Sequence, residues 1–464
     1  LFQYLGVDEQ PVIHSEKHCA GIREIYEGDN LVEIQYLGLD GNLMNRSDYG
    51  IARVYRTYYN DGKQKTEEYF DAEGNPAVRK EYGCAMFESF YYDDGALKER
   101  RYYAFPEGRQ ELVMRRDTGY AIIRYEYDSN GNQNSQTYFD ADEQPVVSTK
   151  YHCAGILSEY DDYGNEIETR YVDWDGGLMN RDDYCFARVL REYDSKRGKL
   201  LSERYFDAEG QPAIRKGYGY AFYEQYYDER GNWLETRYYK SHNNDKEDLT
   251  LRENTGYAVV RNEYNEYGEL SAQRFYDEAG MPVVSTESHC TGFLYEYDKQ
   301  GRRSRISYLG LDGKPADRSD YGCAYVSAQY DDAGRVVQES YFGVDGRPVI
   351  RKDRGYASFK KVYEDGKLVQ EQYLGLSKEP VPDKDTGYAM IKWEYDEYGN
   401  TRLTSFYGVD GKPVISSKYQ CAGIRSVYDE KGNNSEIWYL NWDGELMNRG
   451  DYGCAKILRE FDGS

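Results

Sequence analysis

The sequence predicts an all-β fold, an elongated β-hairpin solenoid built as one array of about fourteen units. Three observations predict it. A short phrase recurs from end to end, each copy alternates apolar and polar residues as a half-wet strand does, and each copy carries two turn signals.

The phrase is most legible as Gly387-Tyr388-Ala389, then Tyr395-Asp396-Glu397-Tyr398-Gly399-Asn400, then Phe406-Tyr407-Gly408-Val409-Asp410-Gly411-Lys412-Pro413. The aromatic that opens its Gly-x-Pro segment, here called the anchor, falls at Tyr4, Tyr36, Tyr69, Tyr102, Tyr138, Tyr171, Tyr205, Tyr238, Phe275, Tyr308, Tyr341, Tyr373, Phe406 and Tyr439. The spacing is 32 to 37 residues and usually 33. A period of this length marks an array whose neighbours bury one another's faces.

Within a unit, an Ala or Thr precedes an aromatic by six residues, as from Ala121 to Tyr127 or Ala389 to Tyr395. An even separation puts both on one face of a strand. Tyr127-Asp128-Ser129-Asn130-Gly131-Asn132 then supplies Asp to cap a tight turn and Gly where φ must be positive, so the chain reverses into a second strand ending at Tyr138. A second reversal follows, as in Phe70-Asp71-Ala72-Glu73-Gly74-Asn75-Pro76. Residues 77–84 then lead into the next unit as a loop or a short third strand. No stretch sustains a 3.6-residue period and glycine numbers 46, so almost no helix is expected. Isolated hairpins are marginal in water, so stacking must hold them, and the two end units should be the least ordered unless flanking sequence caps them.

A longer period groups the units in fours, at about 1–134, 135–271, 272–402 and a partial 403–464. His18-Cys19-Ala20-Gly21 returns as His152-Cys153-Ala154-Gly155, His289-Cys290-Thr291-Gly292 and Gln420-Cys421-Ala422-Gly423, always in the first unit of a block. Fourth units carry odd loops, at 104–108, 241–245 and 377–382, and insertions in arrays tend to lie on the binding face. Either an ancestral block duplicated without structural phase, or four units make one superhelical turn.

Composition excludes several function classes. A net charge of −24 argues against nucleic acid and anionic membranes, and no apolar run approaches a spanning helix, so no membrane insertion is expected. Tyrosine contributes 53 residues, so the core is built from phenol rings that can keep the hydroxyl wet. Seven of eight cysteines lie fifteen residues after an anchor, a place other units fill with Ile51, Phe186, Tyr220 or Tyr356, and Cys185 lies fourteen after. They read as apolar fillers, with disulfides between neighbouring units (Cys153 to Cys185, Cys290 to Cys323, Cys421 to Cys454) as the alternative. The chain starts at Leu1 and both ends fall inside repeat units, so a piece of a longer protein with flanking domains is expected.

The Tyr-Asp-x-x-Gly-Asn turns at Tyr127 to Asn132 and Tyr395 to Asn400 resemble the YD repeats of RHS and teneurin-type proteins. The Tyr-Phe-Asp-x-x-Gly-x-Pro segments at Tyr69 and Tyr205 resemble cell-wall-binding repeats of the glucan- and choline-binding type. Both resemblances imply a secreted or cell-surface bacterial protein. Cell-wall-binding repeats lean on paired tryptophans, whereas only five occur here.

Candidate chemistry is sparse. Carboxylates sit at turn positions repeated many times, whereas catalysis needs one asymmetric constellation, so no catalytic residue, cofactor or metal is expected. His18, His152 and His289 share one column that Gln420 breaks. Arg46, Arg79, Arg181, Arg215, Arg318, Arg351 and Arg449 all stand ten residues after their anchor. They form either a ladder with carboxylates or a row that reads an anionic glycan through Arg79, Arg215 and Arg351. Trp174 and Trp442 replace Leu39 and Leu311 in turns, in a column that is always apolar; they read first as packing and otherwise as sugar platforms, joined by Trp233, Trp393 and Trp438 if half exposed. The expected function is therefore a non-catalytic module binding cell-wall or other extracellular carbohydrate. The alternative is a passive spacer, or part of an RHS-like assembly, that positions another domain.

Overall fold

The computed structural model describes residues 1–241 and 248–461. It contains 29 strands among the described residues, from β1 (Phe2–Leu5) to β29 (Lys456–Arg459), and one short 3-10 turn at Pro106–Gly108. The fourth-unit loop read at 241–245 lies, from His242 onward, outside the described residues.

Each unit is one hairpin. In the first complete one, β2 (Gly21–Glu27) pairs with β3 (Asn30–Leu37), and β3 then pairs with β4 (Arg53–Tyr58) of the next hairpin. The hairpins do not stack face to face as the sequence suggests; they bond edge to edge into one continuous antiparallel sheet. The segment after a second strand folds back and makes only an isolated bridge, such as Phe70 with Pro76, or, in one fourth unit, a two-residue pairing, so it is a loop rather than a full third strand.

The sheet closes on itself. β1 pairs with β2 on one side and with β29 on the other, through Phe2 with Arg459, Gln3 with Leu458, Tyr4 with Ile457 and Leu5 with Lys456. The first strand is a second half-hairpin and the last is a first half-hairpin, so together they complete a fourteenth unit beside thirteen continuous ones. Leaving aside β8 (Glu111–Leu112), a two-residue strand in a fourth-unit loop, 28 strands form the ring. The elongated solenoid is thereby corrected to a closed barrel, and the end units are held by each other.

Closure follows from the register. Stepping straight across the sheet from anchor Tyr36 leads through Ala52 to Asp71, two residues beyond the next anchor, Tyr69. The same advance of two recurs in every unit, including the step across the seam, so fourteen units give a shear of 28 for 28 strands. With about 3.3 Å per residue and about 4.8 Å between strands, this sets a tilt of roughly 35° and a backbone radius of roughly 25 Å. Each of the thirteen continuous hairpins also carries one β-bulge at the start of its second strand, as between Gln133 and Ser135, and bulges bend the strand and add twist. One turn takes fourteen units, so the four-unit blocks are not superhelical turns.

The core is a belt on one face of the wall. Anchors such as Tyr69, Tyr138, Tyr205 and Phe406 are fully buried beneath the fold-back loops, against the residue fifteen places on, as Ile51 or Cys84. The belt crosses the seam, where His14 packs between the rings of Tyr4 and Tyr452 at 4.5 and 4.6 Å. This face is the concave one. Arg46 and Arg79 sandwich Tyr49 at 3.9 and 4.1 Å, so successive guanidiniums lie within 8.0 Å, whereas successive hairpins in the wall are about 9.6 Å apart. A layer more tightly spaced than its wall lies inside it. The outer face carries cross-strand pairs such as Arg188 with Glu168 at 2.6 Å and Arg261 with Glu235 at 2.5 Å.

Candidate functional site

The inner belt carries the candidate site, and its parts come from fixed positions in each unit. After the Gly-x-Pro turn, the residue ten past the anchor donates its N–H to the residue fifteen past and accepts from the one fourteen past; Arg79 does so with Cys84 and Gly83. The fourteenth position has positive φ, which is why glycine fills it at Gly50, Gly83 and Gly453. His18, His152, His289 and Gln420 stand at this position with φ of 53° or 54°. Their shared column is thus a turn requirement, and four-unit spacing distributes them around the ring. Among the described residues no group of three or more His, Cys, Asp or Glu side chains converges as a metal site would require.

Cys185 also occupies the left-handed position and is exposed, while the other seven cysteines are buried. All eight are free, so the neighbouring-unit disulfides do not form. Burial pushes the thiols of Cys19, Cys84 and Cys153 up to about 11.

The arginine row forms a stacked ladder. Guanidiniums alternate with rings contributed three residues later: Arg46, Tyr49, Arg79, Tyr82 and Arg115 in one run, and Arg181, Tyr184, Arg215, Tyr218 and Arg252 in another. The row breaks in every first unit, at His14 in the first block and at serine in the others, where the Ser148 and Ser416 hydroxyls donate to the Thr118 and Thr386 carbonyls of the preceding unit; Asp383 takes the place in one fourth unit as well. This break is the physical content of the four-unit period in the belt. Arg115 and Arg252 escape a search by fixed spacing because fourth-unit insertions displace them; the Thr-Gly-Tyr-Ala run that follows each within a few residues is the signal that finds them.

The three arginines singled out from sequence differ. Arg79 donates to Glu81 at 3.0 Å and Arg351 grips Asp353 with two nitrogens at 2.8 and 2.9 Å. Arg215 instead donates to the Tyr205 hydroxyl at 3.0 Å and stacks on Tyr218 at 4.0 Å.

The tryptophans do not converge. Trp174 and Trp442 sit at turn tips, 65% and 59% exposed, eight units apart along the chain and so on well-separated parts of the ring. Trp233, Trp393 and Trp438 are half-buried in separate strands. Trp233 donates to Thr236 at 2.8 Å, and Trp438 donates to Glu436 at 2.5 Å, flanked by Arg425 and Lys456. No ring contact joins two tryptophans among the described residues.

Repeated carboxylates act as turn caps. Asp128 accepts the Asn132 side chain and the N–H groups of Asn132 and Asn130, which holds its carboxyl below the usual range. A further repeated contact has no counterpart in the sequence reading. The tyrosine closing most first strands donates its hydroxyl to the carbonyl at the preceding unit's bulge, as Tyr160 to Gln133 at 2.9 Å and Tyr395 to Leu368 at 2.8 Å.

Fold and belt together define a closed, tyrosine-rich β-barrel wall assembled from hairpin repeats. No protein-family model matches the chain, and no curated protein matches it. Among solved structures it is similar to a chain of the crystal structure of TcdB2-TccC3-Cdc42, at 11% identity and a TM-score of 0.33, covering 90% of this chain and 22% of that one. It is likewise similar to a chain of the Photorhabdus luminescens Tc holotoxin pore, at 12% identity and a TM-score of 0.34, covering 89% and 20%. The chain thus spans about a fifth of the length of those chains. Similarity at this level decides neither family nor activity.

Proposed function

We propose that the chain is a non-enzymatic structural ring, a closed wall that surrounds and positions another polypeptide segment, such as a flanking domain of a longer chain in a secreted or cell-surface setting. The observation that carries this reading is the pairing of β1 with β29. It leaves the ring no free sheet edge and encloses a lumen. A roughly 25 Å radius, less an inner loop layer about 10 Å thick, leaves an opening of roughly 30 Å, wide enough for several helices of 10–12 Å diameter. The candidate side chains support no private reaction centre, because the belt's tyrosines, arginines and turn aspartates recur around the circle. A glycan groove draws no support from tryptophans that stand singly on separate units. No helix among the described residues is long and apolar enough to cross a membrane.

Small-angle X-ray scattering of the chain tests the ring. A closed cylinder of this size has a radius of gyration of about 27 Å, whereas fourteen hairpins stacked about 10 Å apart give a rod with a value of about 40 Å. A rod-like profile sinks the proposal, and a pair-distance distribution ending near 65 Å with a ring in negative stain supports it.

A further inference from the structure

Nine arginines occupy the ladder position. Arg46, Arg115, Arg181, Arg318, Arg351 and Arg449 each close the Nε and Nη2 edge of the guanidinium on an aspartate two residues later, at 2.5 to 3.0 Å. Arg79 reaches the longer Glu81 with Nη2 alone. Arg215 and Arg252 are followed at that place by Gly217 and Asn254. Each donates Nη1 to a phenol, Tyr205 at 3.0 Å and Tyr238 at 3.3 Å, and each has a buried Nε with no partner. Neither makes a salt bridge among the described residues, and Glu203 reaches Arg215 only through the Tyr205 hydroxyl.

These two lie side by side. Their guanidiniums stack against Tyr218 at 4.0 and 5.4 Å, so they stand no more than 9.4 Å apart. Six sibling units show what that edge of the guanidinium takes: a planar carboxylate held by two parallel N–H donors, the geometry arginine shares with phosphate. Elsewhere the chain supplies the anion itself. Here two adjacent cations on the lumen side are left without one, in a protein whose net charge is −24. Screening over roughly 8 Å at physiological salt confines the repulsion of distant acids, and Glu203, the carboxylate beyond the Tyr205 hydroxyl, is itself paired with Arg191 at 2.8 Å, so the two guanidiniums leave the place positive.

We infer that Arg215 and Arg252 form a binding site for an oxyanion, the carboxylate or phosphate group of a ligand that takes the place aspartate takes in the sibling units. Isothermal titration of the whole chain with inorganic phosphate and, separately, with succinate, at constant ionic strength in chloride buffer, tests it. Saturable binding of at least one anion is expected, and the preferred one identifies phosphate or carboxylate chemistry. Arg252→Gln and Arg215→Gln should each raise Kd at least tenfold. Asn254→Asp restores the internal carboxylate at a position outside the left-handed region, so it should also raise Kd at least tenfold while keeping or raising Tm. This last variant keeps the test decisive if an arginine variant fails to fold. No saturable heat with either anion, or an unchanged Kd in Asn254→Asp, overturns the site.

Discussion

His14 occupies the ladder place that serine fills in other first units, and it sits at the seam of the ring. It is 3% exposed, and its Nδ1 accepts the N–H groups of Glu16 at 3.2 Å and Lys17 at 3.3 Å, which requires the neutral ring. Burial holds its pKa below the ordinary value, with Lys17 and Arg449 pushing the same way and Glu16 and Asp451 opposing. The unfolded chain takes up this proton near pH 6.5 and the folded chain only at lower pH, so the unfolded state binds more protons in between. The contribution is therefore complete above about pH 6.5 and lost as pH falls through the folded value. Thermal melts of the wild type and His14→Ser at pH 7.5 and 5.5 should show the wild type losing more Tm on acidification; equal losses would remove His14 as the cause. At this scale the sequence was informative about columns and poor about backbone. Cysteine in a column shared with Ile51 and Tyr220 was readable as a filler, whereas the His18 column needed a φ value to become a turn position.

Among elements, the hairpins were legible because Asp and Gly must stand where a tight turn needs a cap and a positive φ. Gly131 shows this directly, with φ 85° and nothing within 4 Å of an added Cβ. Gly131→Ala should therefore cost backbone strain alone, about 1–2 kcal/mol, read as a lower urea midpoint with unchanged slope. A neutral result would show that the turn relaxes to another type. The bulge that follows each turn was not legible, since one unpaired residue at its start leaves the alternation of a strand such as Gln133–Phe139 almost intact. Its consequence, a carbonyl freed for the next unit's tyrosine hydroxyl, explains why an aromatic with a hydroxyl so often closes the first strand. Edge-to-edge pairing was equally hidden, because a hairpin that stacks and one that extends a sheet bury the same alternating face.

For the whole molecule, the half-units at the two ends were visible in the sequence, and only the register shows that they complement each other. A repeat fixes what one unit adds, two strands and a shear of two residues, and the count of units then fixes the radius. Because strand and shear numbers grow together, tilt stays constant as units are added or removed, so the ring has no unique size built into a single unit. Deleting residues 53–85 joins Ala52 to Met86 and removes one complete unit of 33 residues. The 26 strands left should close at the same roughly 35° tilt with a radius smaller by about one fourteenth, lowering the radius of gyration by about 2 Å. The seam must still form, because β1 and β29 keep their pairing residues and both neighbours. Scattering from the shortened chain reads the change directly. A soluble, smaller ring is the expected result, while an opened or aggregated chain would mean that closure depends on particular units rather than on the register that every unit repeats.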